Sequence, residues 1–302
     1  MLKIIKRHRT HGLRSEKVPK IRYIFIAFVW LTSFLLLAVP GKSDELTISF
    51  IDTGQGLCVF LEEPSGTTCL IDGGSSDVKD VYRYRMESAV KYMGTGHVDY
   101  CIITHTDSDH ISGIIEMIKA ESIGIGELLV HSEEGNEKYE ELKALCTEHN
   151  IKMSEWEAGK EIPGDVRLRC IYPAKGQTAE NNNDISTVTL LEYNGFTALF
   201  TGDIEQKTEK LITETGLLTS EVNLLQVPHH GSRSSSSEKF LKVLSPEISV
   251  ISAGVNNSYG HPHEETLEKL KAAGSDIYIT AEQGQITVSV HNDGSINIET
   301  MF

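Results

Sequence analysis

Along this 302-residue chain, apolar positions follow three patterns in turn. Residues 1–22 show no apolar periodicity. Tyr23 to Val39 then runs for 17 residues without a charge, at the short end of the roughly 17–25 residues that span a bilayer. From Leu46 onward the pattern breaks into short alternating runs separated by glycine-rich or polar turns, the mark of strands, interleaved with longer helical stretches. Strands are expected at Leu46–Ile51, Leu57–Leu61, Thr67–Ile71, Val98–Ile103, Leu128–Val130, Val166–Ile171, Thr187–Tyr193, Thr197–Phe200, Val222–Val227, Ile248–Ser252, Ile277–Thr280 and Ile286–Val290. Helices are expected at Tyr82–Met93, from Ile111, at Glu137–Glu148, Glu205–Glu214 and Glu238–Val243, and at Glu264–Ala273 with Gly274 as its cap. Asn194-Gly195 between two of the strands is a strong two-residue hairpin signal. Glu62-Glu-Pro-Ser-Gly66 and Asn292-Asp-Gly294 read as further hairpin turns.

Two β-rich blocks with interspersed helices predict two sheets packed face to face with helices outside. No repeat of 20–50 residues is visible. Composition is that of a globular protein, with 39% apolar and 24% charged residues. Charge is uneven. Residues 1–22 carry eight Lys or Arg and one acid, Glu16, which leaves 20 basic and 42 acidic side chains on the other 280 residues, a net charge near −22. A body this acidic is no general polyanion-binding surface, so any nucleic-acid contact would be local or supported by bound cations. The basic flank before the apolar run, with Asp44-Glu45 after it, predicts an uncleaved signal anchor at 23–39 with a cytoplasmic N-terminus and the body outside. A secretory signal peptide is the alternative, disfavoured by its very long basic region and by Val39-Pro40-Gly41 as a cleavage site.

Five cysteines, Cys58, Cys69, Cys101, Cys146 and Cys170, form no CxxC or CxH spacing, which argues against a thiolate zinc site or a disulfide framework. Buried free thiols are the default; Cys58 and Cys69, on two arms of a hairpin, are the pair that could bridge.

Six of the twelve histidines fall in three short loops, His105/His110, His229/His230 and His261/His263, each following an apolar strand. Asp72-Gly-Gly and Gly202-Asp203 also end strands. A single His or Asp in such a loop is ordinary turn chemistry, and Asp109 at a helix entry would serve as a cap. Together the loops argue for ligands gathered at one sheet edge. Imidazoles and carboxylates without thiolate suit Zn²⁺, Mn²⁺ or Fe. Two such ions about 3.5–4 Å apart supply a nucleophile and clamp both ends of an in-line displacement.

His105-Thr-Asp107-Ser-Asp109-His110 resembles the HxHxDH motif of the metallo-β-lactamase superfamily, with Asp at the second His position. "DTGQG", "LIDGG", "THTDSDHISG", "LFTGDIE", "PHHGSRSSSS" and "YGHPHEET" resemble, in order, the hydrolase domain of ComEC-type competence proteins, over roughly Leu46 to the C-terminus. The resemblance implies an α+β fold, the four-layer αββα sandwich, over 46–302, and metal-dependent cleavage of nucleic-acid phosphodiesters. It also implies His105 and Asp107 on one of two divalent ions (Zn²⁺ or Mn²⁺), Asp109 and His110 on the other, and Asp203 as the bridge. His230 (or His229) would complete the coordination of the second ion. Asp184 stands where a histidine is expected, about nineteen residues before the bridging acid, and is the candidate ligand there. Asp109, His261 and His263 are the implied catalytic groups, the two histidines meeting a phosphate oxygen or protonating the leaving group. Leu57 replaces the acid usual after Gly-Gln-Gly and Ser112 replaces a glycine; neither change removes a ligand. The many membrane helices of a DNA channel are missing from this pattern, so the chain is not expected to be the translocation pore.

The expectation is a membrane-anchored, extracytoplasmic phosphodiesterase acting on nucleic acid. Hydrolysis of another ester, a lactone or a β-lactam, is the second reading, and a non-catalytic receptor that keeps the fold is the third. The sequence suggests no protein partner.

Overall fold

The alternation of Leu46, Ile48 and Phe50 puts all three side chains into one apolar layer, and their strand, Glu45–Phe50, lies inside an eight-stranded sheet. The computed structural model describes residues 20–38, 45–179, 181–218 and 221–302. From one edge, the sheet runs Ile296–Thr300, Ile286–His291, Glu45–Phe50, Val59–Glu62, Thr68–Ile71, His97–Ile103, Gly124–Val130 and Lys152–Glu155. Pairing is antiparallel as far as Thr68–Ile71 and parallel beyond it. The second sheet orders Asp276–Ile279, Ile248–Ile251, Leu224–Gln226, Phe196–Phe200, Val188–Tyr193, Arg167–Tyr172 and Glu161–Ile162, parallel over the first four and antiparallel over the rest.

Three apolar layers make this a four-layer αββα sandwich. The central one joins the two sheets through residues such as Phe50, Leu61, Leu168, Ala198, Phe200 and Val250. The second seals the outer face of the first sheet under the helices Ser108–Ala120 and Glu137–Glu148, with Ile114, Met117 and Leu142. The third packs Ile212, Phe240, Leu241 and Leu270 on the outer face of the second sheet. Asn194 and Gly195 both take left-handed backbone (φ +46° and +86°), the requirement of a tight hairpin turn, between the paired residues Tyr193 and Phe196.

Cys58 and Cys69 do not pair. Cys58 belongs to the helix-covered layer and Cys69 to the inter-sheet layer, on opposite faces of the sheet, and all five cysteines are free and buried. The short edge strands Lys152–Glu155 and Glu161–Ile162 escaped the sequence pattern because they are two to four residues long and half exposed, with no alternation.

The chain divides into two units, Met1–Gly41 and Lys42–Phe302. In the first, Lys20–Ala38 is helical, and Tyr23, Ile24, Phe25, Phe28, Trp30 and Leu31 are exposed along it. Among the described residues, no helix is long and apolar enough to cross a membrane. Within that helix the uncharged stretch begins after Arg22 and is described only to Ala38, about 24 Å of helix against a hydrocarbon core of about 30 Å. Residue 39, the end of the expected span, and the basic residues 1–19 lie outside the described residues.

Candidate metal centre

Parallel strands bring their carboxyl ends to one edge, and loops leaving such ends are where open sheets hold ligands. In the first sheet these ends release Asp72 and the stretch 104–110; in the second they release Thr201–Asp203 and Pro228–Gly231. Glycine lets the first pair pack. A side chain on Gly74 would lie 2.5 Å from the Asp109 carbonyl carbon and the His110 nitrogen, and one on Gly56 would meet the Gly74 and Asp109 carbonyls. The Leu57 N–H donates to the Asp109 carbonyl (3.1 Å) and the Gly73 N–H to that of His110 (2.7 Å). The glycine turns of DTGQG and DGG thus form a seat for the first turn of the helix Ser108–Ala120. A cap does not explain Asp109: Asp107 occupies the cap position, without a capping bond, and Asp109 lies inside the first turn.

Each central imidazole is held by one nitrogen and has the other turned inward. His110 Nδ1 meets Asp72 Oδ2 at 2.7 Å, and Thr104 fastens that carboxylate through its N–H (2.8 Å) and hydroxyl (2.6 Å). His230 Nδ1 donates to the Ser252 carbonyl (2.8 Å). His105 Nδ1 lies between the hydroxyls of Thr104 (3.1 Å) and Ser186 (3.2 Å). The three Nε2 atoms, with Asp203 Oδ1, are buried without a hydrogen-bond partner. Ligand atoms of Asp109, His110, Asp203 and His230 all lie within 4.8 Å of one another. His110 Nε2 is 3.3 Å from Asp203 Oδ1, and His230 Nε2 is 3.4 Å from Asp203 Oδ2 and 3.5 Å from Asp109 Oδ2. Ligand bonds of about 2.0–2.2 Å in a tetrahedral shell put neighbouring ligand atoms about 3.4 Å apart. Orphaned lone pairs at that spacing fit a divalent cation.

Electrostatics agree with the geometry. Burial alone would push Asp203 up, but His230 and His110 hold it well below the carboxylate range. Burial likewise opposes Asp109, yet His230 and His110 bring it down to about 2. Burial would lower His230, but Asp203 and Asp109 raise it to about 10. The carboxylates are therefore ionised, and a metal would displace protons from the imidazoles.

His229 and His230 share left-handed backbone (φ +52° and +53°) with Gly231 after them. That conformation costs a non-glycine residue roughly 1–2 kcal/mol, and strain of this kind collects at functional sites. The His229 N–H donation to the Gly202 carbonyl (3.1 Å) and the His230–Ser252 bond hold it in place.

Around this centre the remaining sequence candidates form a rim. The His105 ring lies tilted against that of His110, 4.1 Å centroid to centroid, and its Nε2 is 3.7 Å from Asp107 Oδ2. Asp107 accepts from Asn182 (3.0 Å), and the bond with His105 holds its pKa low. His229 is partly exposed, with Nε2 3.8 Å from Asp203 and Nδ1 3.4 Å from Glu205. His261 stacks on His230 (6.2 Å) and on Tyr259 (5.6 Å), and burial, reinforced by His230 and His229, pushes it down to about 4. His263 lies 5.0 Å from the His261 ring, and its Nδ1 accepts the Arg233 N–H (3.2 Å).

Asp184 is not brought into the cluster. Its carboxylate meets Lys207 (3.2 Å) and the Thr208 hydroxyl (3.3 Å) at the start of the helix Gln206–Glu214. Ser186, past the single turn Asn183–Ile185, instead reaches His105 and accepts the Asp203 N–H (3.3 Å). Sequence reasoning missed Ser186, Thr104, Ser252 and Gln55. Gln55 is buried, accepts the Gly254 N–H (3.2 Å) and lies 3.4 Å from His261 Nδ1. Its place between the glycines of DTGQG was the one available signal.

Residues 51–255 match the family model described as metallo-beta-lactamase superfamily. The chain is 28% identical over 274 residues to ComE operon protein 3 of Bacillus subtilis, covering 86% of this chain and 35% of that protein. It is 28% identical over 259 residues to competence protein ComA of Neisseria gonorrhoeae, covering 85% and 34%. It thus spans about a third of the length of these relatives. The solved metallo-beta-lactamase fold protein YhfI from Bacillus subtilis shares the fold, with a TM-score of 0.55 at 12% identity over 81% of this chain and 99% of that one.

Proposed function

The chain belongs to the metallo-beta-lactamase superfamily, and from that we propose that it is a metal-dependent hydrolase of phosphodiesters, with nucleic acid as its substrate class. The observation that carries the reading is the convergence of buried, partnerless imidazole nitrogens on the Asp203 carboxylate. Asp109, His110, Asp203 and His230 would hold one divalent ion, Zn²⁺ or Mn²⁺, and His105 with Asp107 would hold a second. Asp203 offers Oδ1 toward His110 and Oδ2 toward His229 and His230, as a shared carboxylate would. Such ions supply a water-derived nucleophile at neutral pH and neutralise charge that develops on phosphoryl oxygens.

The protein's own groups do the rest. Asp72 and the Ser252 carbonyl fix the orientation of His110 and His230. His261 stays neutral near pH 7 and faces Gln55 through Nδ1, so Nε2 carries an N–H that would donate a hydrogen bond to a phosphate oxygen. Nucleic acid as the substrate is supported by relatives named for competence. The acidic body favours a short or terminal stretch of polyanion over a long groove, because repulsion grows with each phosphate laid along it.

The N-terminal helix is the membrane anchor in this reading, with the hydrolase unit outside the cytoplasm. Support comes from its exposed apolar side chains and the eight Lys or Arg among residues 1–22. A short span is accommodated by local thinning and by snorkelling of the flanking Arg22. Protease treatment of intact cells is expected to remove the hydrolase unit; full protection would contradict the orientation.

The test of function is a panel of single- and double-stranded DNA, RNA, a model phosphodiester and a lactone, offered to the full chain in detergent with Mn²⁺ or Zn²⁺. Phosphodiester turnover that Asp109→Asn abolishes is expected. Preferential lactone cleavage would move the activity to another ester, and a chain that binds no metal would be a scaffold.

A further inference from the structure

We propose that a separate divalent cation binds beside this centre, on His131, Glu155 and Glu157. The site lies one and two strands along the same sheet edge: Ile103 pairs in register with Val130, and Val130 with Glu155. His131 directly follows the strand Gly124–Val130, and Glu155 ends the strand Lys152–Glu155. One ligand atom from each of His131, Glu155 and Glu157 lies within 4.8 Å of the others, and His131 and Glu157 are buried.

The observation that points to a ligand is the state of His131. Its Nε2 donates to the Gln177 carbonyl (2.7 Å), which leaves Nδ1 as the lone-pair nitrogen. That Nδ1 is buried and has no partner, in a side chain only 2% exposed. Among the described residues, four imidazole nitrogens are buried and partnerless: three belong to His105, His110 and His230, and the fourth is this one. In each case the other nitrogen is held by hydrogen bonding, the arrangement by which a metal-binding imidazole is fixed in its tautomer and aimed. A merely structural His131, tying down the loop that carries Gln177, would account for Nε2 and leave Nδ1 with the full cost of a desolvated acceptor.

The carboxylates are poised as well. The Trp156 N–H donates to the Val130 carbonyl (2.9 Å) and the Ala158 N–H to that of Pro173 (2.7 Å), so the backbone on both sides of Glu157 is fixed to the two sheets. Among the described residues, Glu155 accepts one hydrogen bond, from the Ser132 N–H (3.1 Å). Lys160 and Lys175 line the same cleft of about 660 Å³, yet among the described residues no ion pair engages Glu155 or Glu157. One imidazole and two carboxylates suit Zn²⁺, with a fourth position open to water. The cleft also touches the main centre: Glu133 on its wall accepts from the Thr106 hydroxyl (2.6 Å), and Asn182 donates to Asp107. An ion there would brace the loop that supports Thr106 and Asp107.

The test is a zinc count on the full chain in detergent after equilibrium dialysis against Zn²⁺ alone, compared among the wild type, His131→Gln, Glu157→Gln, Asp203→Asn and the His131→Gln/Asp203→Asn double variant. His131→Gln and Glu157→Gln are each expected to bind one equivalent fewer than the wild type. Asp203→Asn should lose its own zinc independently, so that the losses add in the double variant; failure of the main centre therefore reads out separately. Equal unfolding midpoints in chelator would establish that the variants fold, and if His131→Gln does not, the exposed Glu155→Gln decides. A wild-type zinc count in the folded His131 and Glu157 variants would overturn the proposal.

Discussion

The inner and outer histidines of the centre differ in how they are held. His110 and His230 are buried, each anchored at Nδ1 by Asp72 or the Ser252 carbonyl, each with a partnerless Nε2 directed at Asp203. His261 and His263 are half-buried, His261 stacking on His230 and His263 meeting His261 edge-on, and neither touches a carboxylate of the cluster. An imidazole clamped on one side and orphaned on the other is built to hold a cation, whereas His261, which stacks at the rim and stays neutral, is built to meet a substrate. The difference assigns roles that the histidine-rich loops alone left undivided.

The strongest way to break the comparison is Asp203→Asn, which removes the carboxylate that both inner imidazoles face. Activity is expected to fall on the order of 10³-fold or more, with loss of bound metal, measured by kinetics and metal analysis on one preparation. His261→Gln should cost roughly 10²-fold in kcat with metal content unchanged, since it removes a hydrogen bond to the developing phosphoryl charge and no ligand; metal loss in this variant would erase the distinction between inner and outer groups. Asp72→Asn leaves the ligands in place and weakens their anchoring, so metal affinity is expected to fall about 10- to 100-fold in a chelator competition. The smallest effect belongs to His263→Gln. Its Nδ1 is already occupied by the Arg233 N–H, so a stability loss of about 1 kcal/mol in thermal unfolding and near-normal turnover are expected.

Much of the fold was legible because its strands alternate and its turns carry their own chemistry, as at Leu46–Phe50 and Asn194-Gly195. The order of strands within each sheet was not, because which strands neighbour one another depends on crossovers, and the C-terminal strands Ile286–His291 and Ile296–Thr300 return to the first sheet beside Glu45–Phe50. At the site, His105 to His110, Asp203 and His229-His230 stood out as polar clusters closing apolar runs. Ser186 did not, because one turn of 3₁₀ helix decides whether Asp184 or Ser186 faces His105, and residue spacing does not encode that turn. His131 was equally silent: a lone histidine after a strand gains meaning only once Glu155 and Glu157 arrive from the neighbouring strand.

The most direct measurement strips the full chain with a chelator and returns Zn²⁺ or Mn²⁺ in steps while hydrolysis of bis(p-nitrophenyl) phosphate is recorded. Hydrolysis should vanish in the stripped protein and return in proportion to the ions bound, and it should not return in Asp203→Asn. Undiminished hydrolysis by the metal-free chain would contradict a metal centre at His110, Asp203 and His230 as the seat of the chemistry.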